Sequence, residues 1–184
     1  IMGMKNILCY GDSNAFGLEA ETLERYCETE RWSGILSSLL KNEYNVIEDG
    51  LCDRNAFLKN EKGSEYCAQE NLSPCLNNYS NIDIIVLALG TNDLQFAYNF
   101  DEEVLKTGLL NLINIVKNYN TNTKIIIIPP VKLKNDVISG YFGYQFNEIS
   151  VMRSDKTFYL HKEIAQQNNC YYFDFNNRLD LYES

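Results

Sequence analysis

The sequence predicts an α/β protein built on a doubly wound parallel sheet with right-handed crossovers. Three observations carry this reading. Short apolar runs at residues 7–10, 44–48, 82–89, 124–128 and 170–175 read as five strands. Stretches with helical spacing fall between them, the alternation that builds βαβ units. The third run is continuously apolar except for Asp83, which suits a strand covered on both faces rather than one with a solvated side. In the common order 2-1-3-4-5 the first and third strands are neighbours, and ligands bind beyond their carboxyl ends.

The first run, Ile7-Leu8-Cys9-Tyr10, stops at Gly11 and is followed at once by Asp12-Ser13-Asn14. Glycine permits the tight turn, and the three polar residues then stand at the strand's carboxyl end. Residues 19–30 are polar and acidic and read as a surface excursion. Trp32, Ile35, Leu36, Leu39 and Leu40 recur at helical spacing, placing a first helix over 31–41. The second strand ends in Asp49-Gly50-Leu51. A weaker helix over 64–77 contains Pro74, which either interrupts it or starts a new turn. The third strand ends in Gly90-Thr91-Asn92-Asp93. Asp101 then caps a helix whose apolar face is Val104, Leu105, Leu109, Leu112, Ile113 and Val116. The fourth strand stops at Pro129-Pro130. Residues 131–152 carry Gly, Tyr and Phe without a period, and a loop of that length serves as a lid, a pocket wall or an interface. A last helix is expected over 154–168. No repeat or linker divides the chain, so residues 1–184 read as a single domain. Ile1-Met2-Gly3 before Met4 reads as a cloning remnant.

Composition narrows the function classes. Sixteen basic against 25 acidic residues give a net charge of −9, and the basic ones are scattered. Such a surface repels phosphate backbones and anionic lipid, so neither nucleic acid nor membrane is expected as a partner. No apolar stretch approaches the ~20 residues of a membrane span, and no secretory leader opens the chain. The six cysteines (Cys9, Cys27, Cys52, Cys67, Cys75, Cys170) form no C-x-x-C pair, and with one histidine there is no zinc ligand set. Cys9 and Cys170 read as small buried hydrophobes, and reduced thiols in a cytoplasm are the expectation.

Three polar, glycine-containing loops thus converge on one sheet edge, and their chemistry is that of an activated serine. A hydroxyl attacks a carbonyl only where a base takes its proton and donors receive the developing oxyanion. Ser13 supplies the hydroxyl and its own N–H. Gly50 lacks a side chain, so its N–H can come close to a substrate oxygen. Asn92 offers an uncharged NH₂ donor. Asp12 and Asn14 are read as supporting residues, Asp12 through bonds to backbone amides. Asp93 is read as a cap on the segment after it, and Arg54 as pairing with an acid near the pocket or, the commoner outcome, in a surface ion pair.

In these residues the chain resembles the SGNH, or GDSL-like, hydrolases. Gly11-Asp12-Ser13-Asn14 matches the first family block, Gly50 the second and Gly90-Thr91-Asn92-Asp93 the third, in order and over nearly the whole chain. Arg31-Trp32 with Leu36, Gly50-Leu51 with Arg54, and Pro129-Pro130 look like the branch of arylesterases and carbohydrate acetylesterases. The resemblance implies a flavodoxin-like three-layer α/β/α fold with a five-stranded parallel sheet, and hydrolysis of short-chain acyl or acetyl esters through an acyl-Ser13 intermediate. It implies a small-molecule or carbohydrate ester as substrate, with no metal and no organic cofactor.

The chain departs from the family pattern in three places. Asp53 stands where related enzymes often have Gly, and Asn55 where they often have Thr. The last block, D-x-x-H, which carries the acid and base of the triad, is absent: Asp180-Leu181-Tyr182-Glu183 puts Glu where His would stand. A carboxylate does not reproduce imidazole's proton exchange near neutrality. A truncated C-terminus is expected; a catalytically silent binding protein of the same fold is the alternative. His161, mid-helix, reads as a structural or surface residue. Asp174 and Asp180 read as solvated or capping. The aromatic residues 141–146 line an acyl or aryl pocket or form an oligomer contact. A nucleotide- or flavin-binding protein would need a phosphate cradle, and neither G-x-G-x-x-G nor a Walker lysine is present.

Overall fold

A computed structural model describes residues 3–177. Five parallel strands, β1 (Lys5–Gly11), β2 (Tyr44–Gly50), β3 (Ile84–Ala88), β4 (Lys124–Ile128) and β5 (Tyr171–Tyr172), form one sheet in the order 2-1-3-4-5. The helices are α1 (Ser13–Phe16), α2 (Trp32–Leu40), α3 (Ala68–Leu76), α4 (Glu102–Tyr119) and α5 (Glu148–Gln167). The predicted α/β class and strand order are those observed.

Alternating side chains of β1 feed two cores, as the two-residue period of a strand requires. Leu8 and Tyr10 join Ile85, Leu87, Ile125 and Ile127 beneath α3, α4 and α5. Ile7 and Cys9 join Val86, Ala88 and Ile128 on the opposite face, under Ala15 of α1 and Trp32, Leu36 and Leu40 of α2. The result is three layers, α/β/α.

Register fixes the working edge. Gly11 pairs with Gly50 on one side and with Ala88 on the other, so β1, β2 and β3 end flush. A Cβ on Gly11 would lie 2.6 Å from the Ala88 carbonyl oxygen and 2.4 Å from Ala15 Cβ. Glycine is therefore required where β1 turns into α1.

Four elements differ from expectation. Residues after Gly11 form the short α1, capped by Asp12, rather than a loop. Pro74 sits inside α3 without ending it; a separate 3₁₀ turn at Ser64–Tyr66 precedes the helix. The last helix begins at Glu148 instead of 154. Asn147 Oδ1 accepts from the Ile149 and Ser150 amides, and the Ser150 hydroxyl accepts from the Asn147 amide, so the start is set by a reciprocal cap. β5 keeps only two paired residues of the expected six. Among the described residues no helix is long and apolar enough to cross a membrane.

Candidate active site

At the carboxyl edge a cavity of about 180 Å³ opens beside α1. Ser13 and Asn14 line it from the end of β1, Cys52 and Asp53 from the loop after β2, and Thr91 and Asn92 from the end of β3. Segment 131–147 closes the far wall with Leu133, Val137, Phe142, Gln145 and Phe146. Ser13 is half-buried, and Asn92 is only 7% exposed. Asn92 Nδ2 donates to the Arg54 carbonyl at 3.0 Å, which orients the carboxamide and leaves its second N–H undirected.

Gly50 does not line this cavity. A Cβ there would lie 2.2 Å from the Phe16 amide nitrogen, so its missing side chain lets α1 pack on β2. The structure thus does not bring Gly50 to the cavity with Ser13 and Asn92. From the same loop it is Asp53 that reaches the cavity, with φ of 67°, a left-handed conformation. Its amide has no acceptor among the described residues, whereas the neighbouring Arg54 amide bonds the Leu51 carbonyl. The sequence marks Asp53 only as standing where related enzymes often have Gly; its place in the cavity and the Asn92–Arg54 bond depend on the assembled loops.

The supporting residues are buried and fully engaged. Asp12 is 1% exposed, and its carboxylate accepts from the Asn14 amide at 3.0 Å. Desolvation pushes its pKa up to about 7 against the pull of the Asn14 and Thr91 amides. Asp93 does not cap the segment after it. Its carboxylate accepts from the amides of Ala56 (2.7 Å), Phe57 (2.9 Å) and Leu58 (2.8 Å), tying the β2 loop to the β3 loop. Burial raises it to about 6, those same amides holding it down. Asn55 is fully buried and pairs backbone to backbone with Tyr66 and Ala68, anchoring the far end of that loop.

Arg54 is no surface ion-pair partner. It is 3% exposed, pairs with Asp49 at 3.0 Å, donates to the Gly11 carbonyl at 3.1 Å and lies over the Tyr10 ring. It thus binds the ends of β1 and β2 together. Arg31 forks onto Glu48 at 2.7 and 2.8 Å, and this hydrogen-bonded pair holds the Glu48 carboxyl down at about 2. Trp32 Nε1 donates to the Asn14 carbonyl at 3.1 Å, fixing the residue next to Ser13.

His161 is buried, not on the surface. Its Nδ1 lies 2.8 Å from the Thr157 carbonyl, its ring packs near Phe57, and it does not line the cavity. Desolvation lowers its pKa to about 4. Asp174 is likewise buried rather than solvated, capping Asn176 at 2.8 Å and accepting from Tyr172. Asp180 and Glu183 lie outside the described residues. Phe142 and Phe146 line the cavity while Tyr141 and Tyr144 are exposed, so the aromatic segment serves the cavity through alternate members. None of the six cysteines is disulfide-bonded. Among the described residues no group of three or more His, Cys, Asp or Glu could hold a metal ion.

Comparison with known proteins gives three findings. The family model of the GDSL-like lipase/acylhydrolases matches residues 9–183. No sequence match was found among curated proteins. Several solved structures share the fold. Est24, a carbohydrate acetylesterase from Sinorhizobium meliloti, superposes with a TM-score of 0.82 at 22% identity, covering 94% of this chain and 85% of its own. A carbohydrate acetylesterase family member from the same organism gives 0.81 at 24% identity, over 95% and 84% of the two chains. The native M. smegmatis aryl esterase gives 0.81 at 22% identity, over 94% and 85%. The family match spans nearly the whole chain and coincides with the loops that frame the cavity: the chain belongs to the GDSL-like lipase/acylhydrolase family, whose members hydrolyse ester bonds.

Proposed function

We propose that the protein hydrolyses esters of short acyl groups, acetyl first among them, through an acyl-Ser13 intermediate. The observation that carries this is the meeting of Ser13, Asp53 and Asn92 around one small cavity. Ser13 Oγ attacks the ester carbonyl carbon, and the carbonyl oxygen becomes an oxyanion. The Ser13 and Asp53 amides and the Asn92 carboxamide are assigned as its donors, all three residues lining the cavity. Collapse expels the alcohol, which leaves with the proton given up by Ser13 Oγ; water then adds to the acyl carbon, releasing the acid and returning a proton to Ser13. A cavity of about 180 Å³ suits an acyl group of a few carbons, since one of ~150 Å³ accepts a benzene ring. The carbohydrate acetylesterase and aryl esterase among the structural relatives make acetylated sugars and aryl acetates the substrates to try first.

A second reading, a silent binding protein of this fold, is favoured by one observation: among the described residues no imidazole faces Ser13. One comparison separates the two. Hydrolysis of p-nitrophenyl acetate by the protein should fall by a factor on the order of 10³ or more in Ser13→Ala. Equal rates in both proteins would exclude the acyl-serine route.

A further inference from the structure

Resting on the reading of this cavity as the ester site, we propose that the Asp53 carboxylate selects substrates by charge, favouring cationic over anionic esters. Among the described residues lining the cavity, Asp53 is the one with a charged side chain. Its backbone holds it there: the left-handed conformation is pinned by Asn60 Nδ2, which donates to the Asp53 carbonyl at 2.8 Å. The carboxylate is 39% exposed and pairs with Lys62, which lies over the Tyr66 ring and does not line the cavity. The pair is therefore a dipole with its negative end at the cavity and its positive end outside. A substrate in the cavity stands nearer the carboxylate than the ammonium and feels a net negative potential. The other lining groups are neutral. An anionic ester pays desolvation and repulsion there, whereas a cationic one gains attraction.

Three aryl acetates of matched shape read this out: 3-acetoxybenzoate (anionic), 3-tert-butylphenyl acetate (neutral) and 3-acetoxy-N,N,N-trimethylanilinium (cationic). The wild-type kcat/KM should follow cation over neutral over anion, each step about threefold to tenfold at low salt and compressed by added salt. Asp53→Asn keeps a residue type that tolerates the left-handed region and should collapse the order. Lys62→Met leaves the carboxylate without its counter-charge and should widen it. Rates are compared as ratios within each protein, so a general loss of activity does not enter. Binding of the same three esters to Ser13→Ala, measured by calorimetry, reads the order without turnover.

Turnover of the neutral ester that is indifferent to Ser13→Ala would refute the ester-site reading. Ser13-dependent turnover with no charge order, or an order unchanged in Asp53→Asn, would overturn the selectivity while leaving that reading intact. A binding order in Ser13→Ala that is flat across the three charges overturns the selectivity in the same way.

Discussion

His161 shows how a buried titratable residue can make stability depend on pH without lining the cavity. It is 1% exposed, with one ring nitrogen on the Thr157 carbonyl and its ring near Phe57. Burial disfavours the imidazolium, so the folded pKa falls to about 4 from the usual 6.5. Between those values the unfolded chain binds the extra proton, and stability therefore rises with pH through that window and is complete above it. Asp12 and Asp93 run the other way. Their raised values mean that the folded state keeps protons the unfolded chain has lost, so their contributions fall as pH rises from about 4 towards about 7 and about 6. Comparing the protein with His161→Gln isolates the imidazole. The stability advantage of the histidine should shrink by about 2 kcal/mol between pH 7 and pH 4.5, read from urea midpoints. A difference constant with pH would mean that the ring titrates in the fold as it does in the unfolded chain. At this scale the candidate site was only partly legible. Ser13 and Asn92 announce themselves, being polar residues beside glycines at strand ends. Asp93 and Arg54 were misread as local or superficial, because their partners lie 35–37 and 5–43 residues away and only the assembled loops bring them into reach.

Among the elements, α5 carries the clearest lesson about boundaries. Its apolar pattern is weak near the start, where Ile149 and Met152 are exposed, so periodicity alone begins the helix six residues late. The chemistry of the start was nevertheless in the sequence: Asn147 and Ser150 stand three apart and bond each other's amides. Asn147→Ala should cost about 1 kcal/mol in thermal or urea unfolding, with the fold retained. A silent substitution would show that tertiary packing, including Arg153 on the carbonyls of Gln95 and Tyr98, holds the helix start without its cap. The sheet was more legible than the helices because its central strands are continuously apolar, and that follows from being covered on both faces. β5 was overread for a related reason. Its residues are apolar, yet at the sheet edge only Tyr171 and Tyr172 find partners on β4.

For the molecule as a whole, the flush ends of β1, β2 and β3 supply the polar floor of the cavity, and the aperiodic segment 131–147 supplies its apolar wall. The division has a physical basis. Catalytic geometry needs rigid strand ends, whereas the shape of an acyl pocket can be left to a connection that the sheet does not constrain. Phe142 is half-buried on that wall and Phe146 is 5% exposed, so the first can be trimmed at less cost to folding than the second. Phe142→Ala should open the cavity towards solvent and admit a longer chain. Because one methylene in an apolar pocket is worth about 1–3 kcal/mol, the kcat/KM ratio of p-nitrophenyl hexanoate to p-nitrophenyl acetate should rise at least about tenfold. The acetate rate serves as the internal reference, which separates a change of pocket from a loss of folded protein. An unchanged ratio in a variant that still hydrolyses acetate would show that the acyl chain lies elsewhere, leaving segment 131–147 to face the alcohol half of the ester.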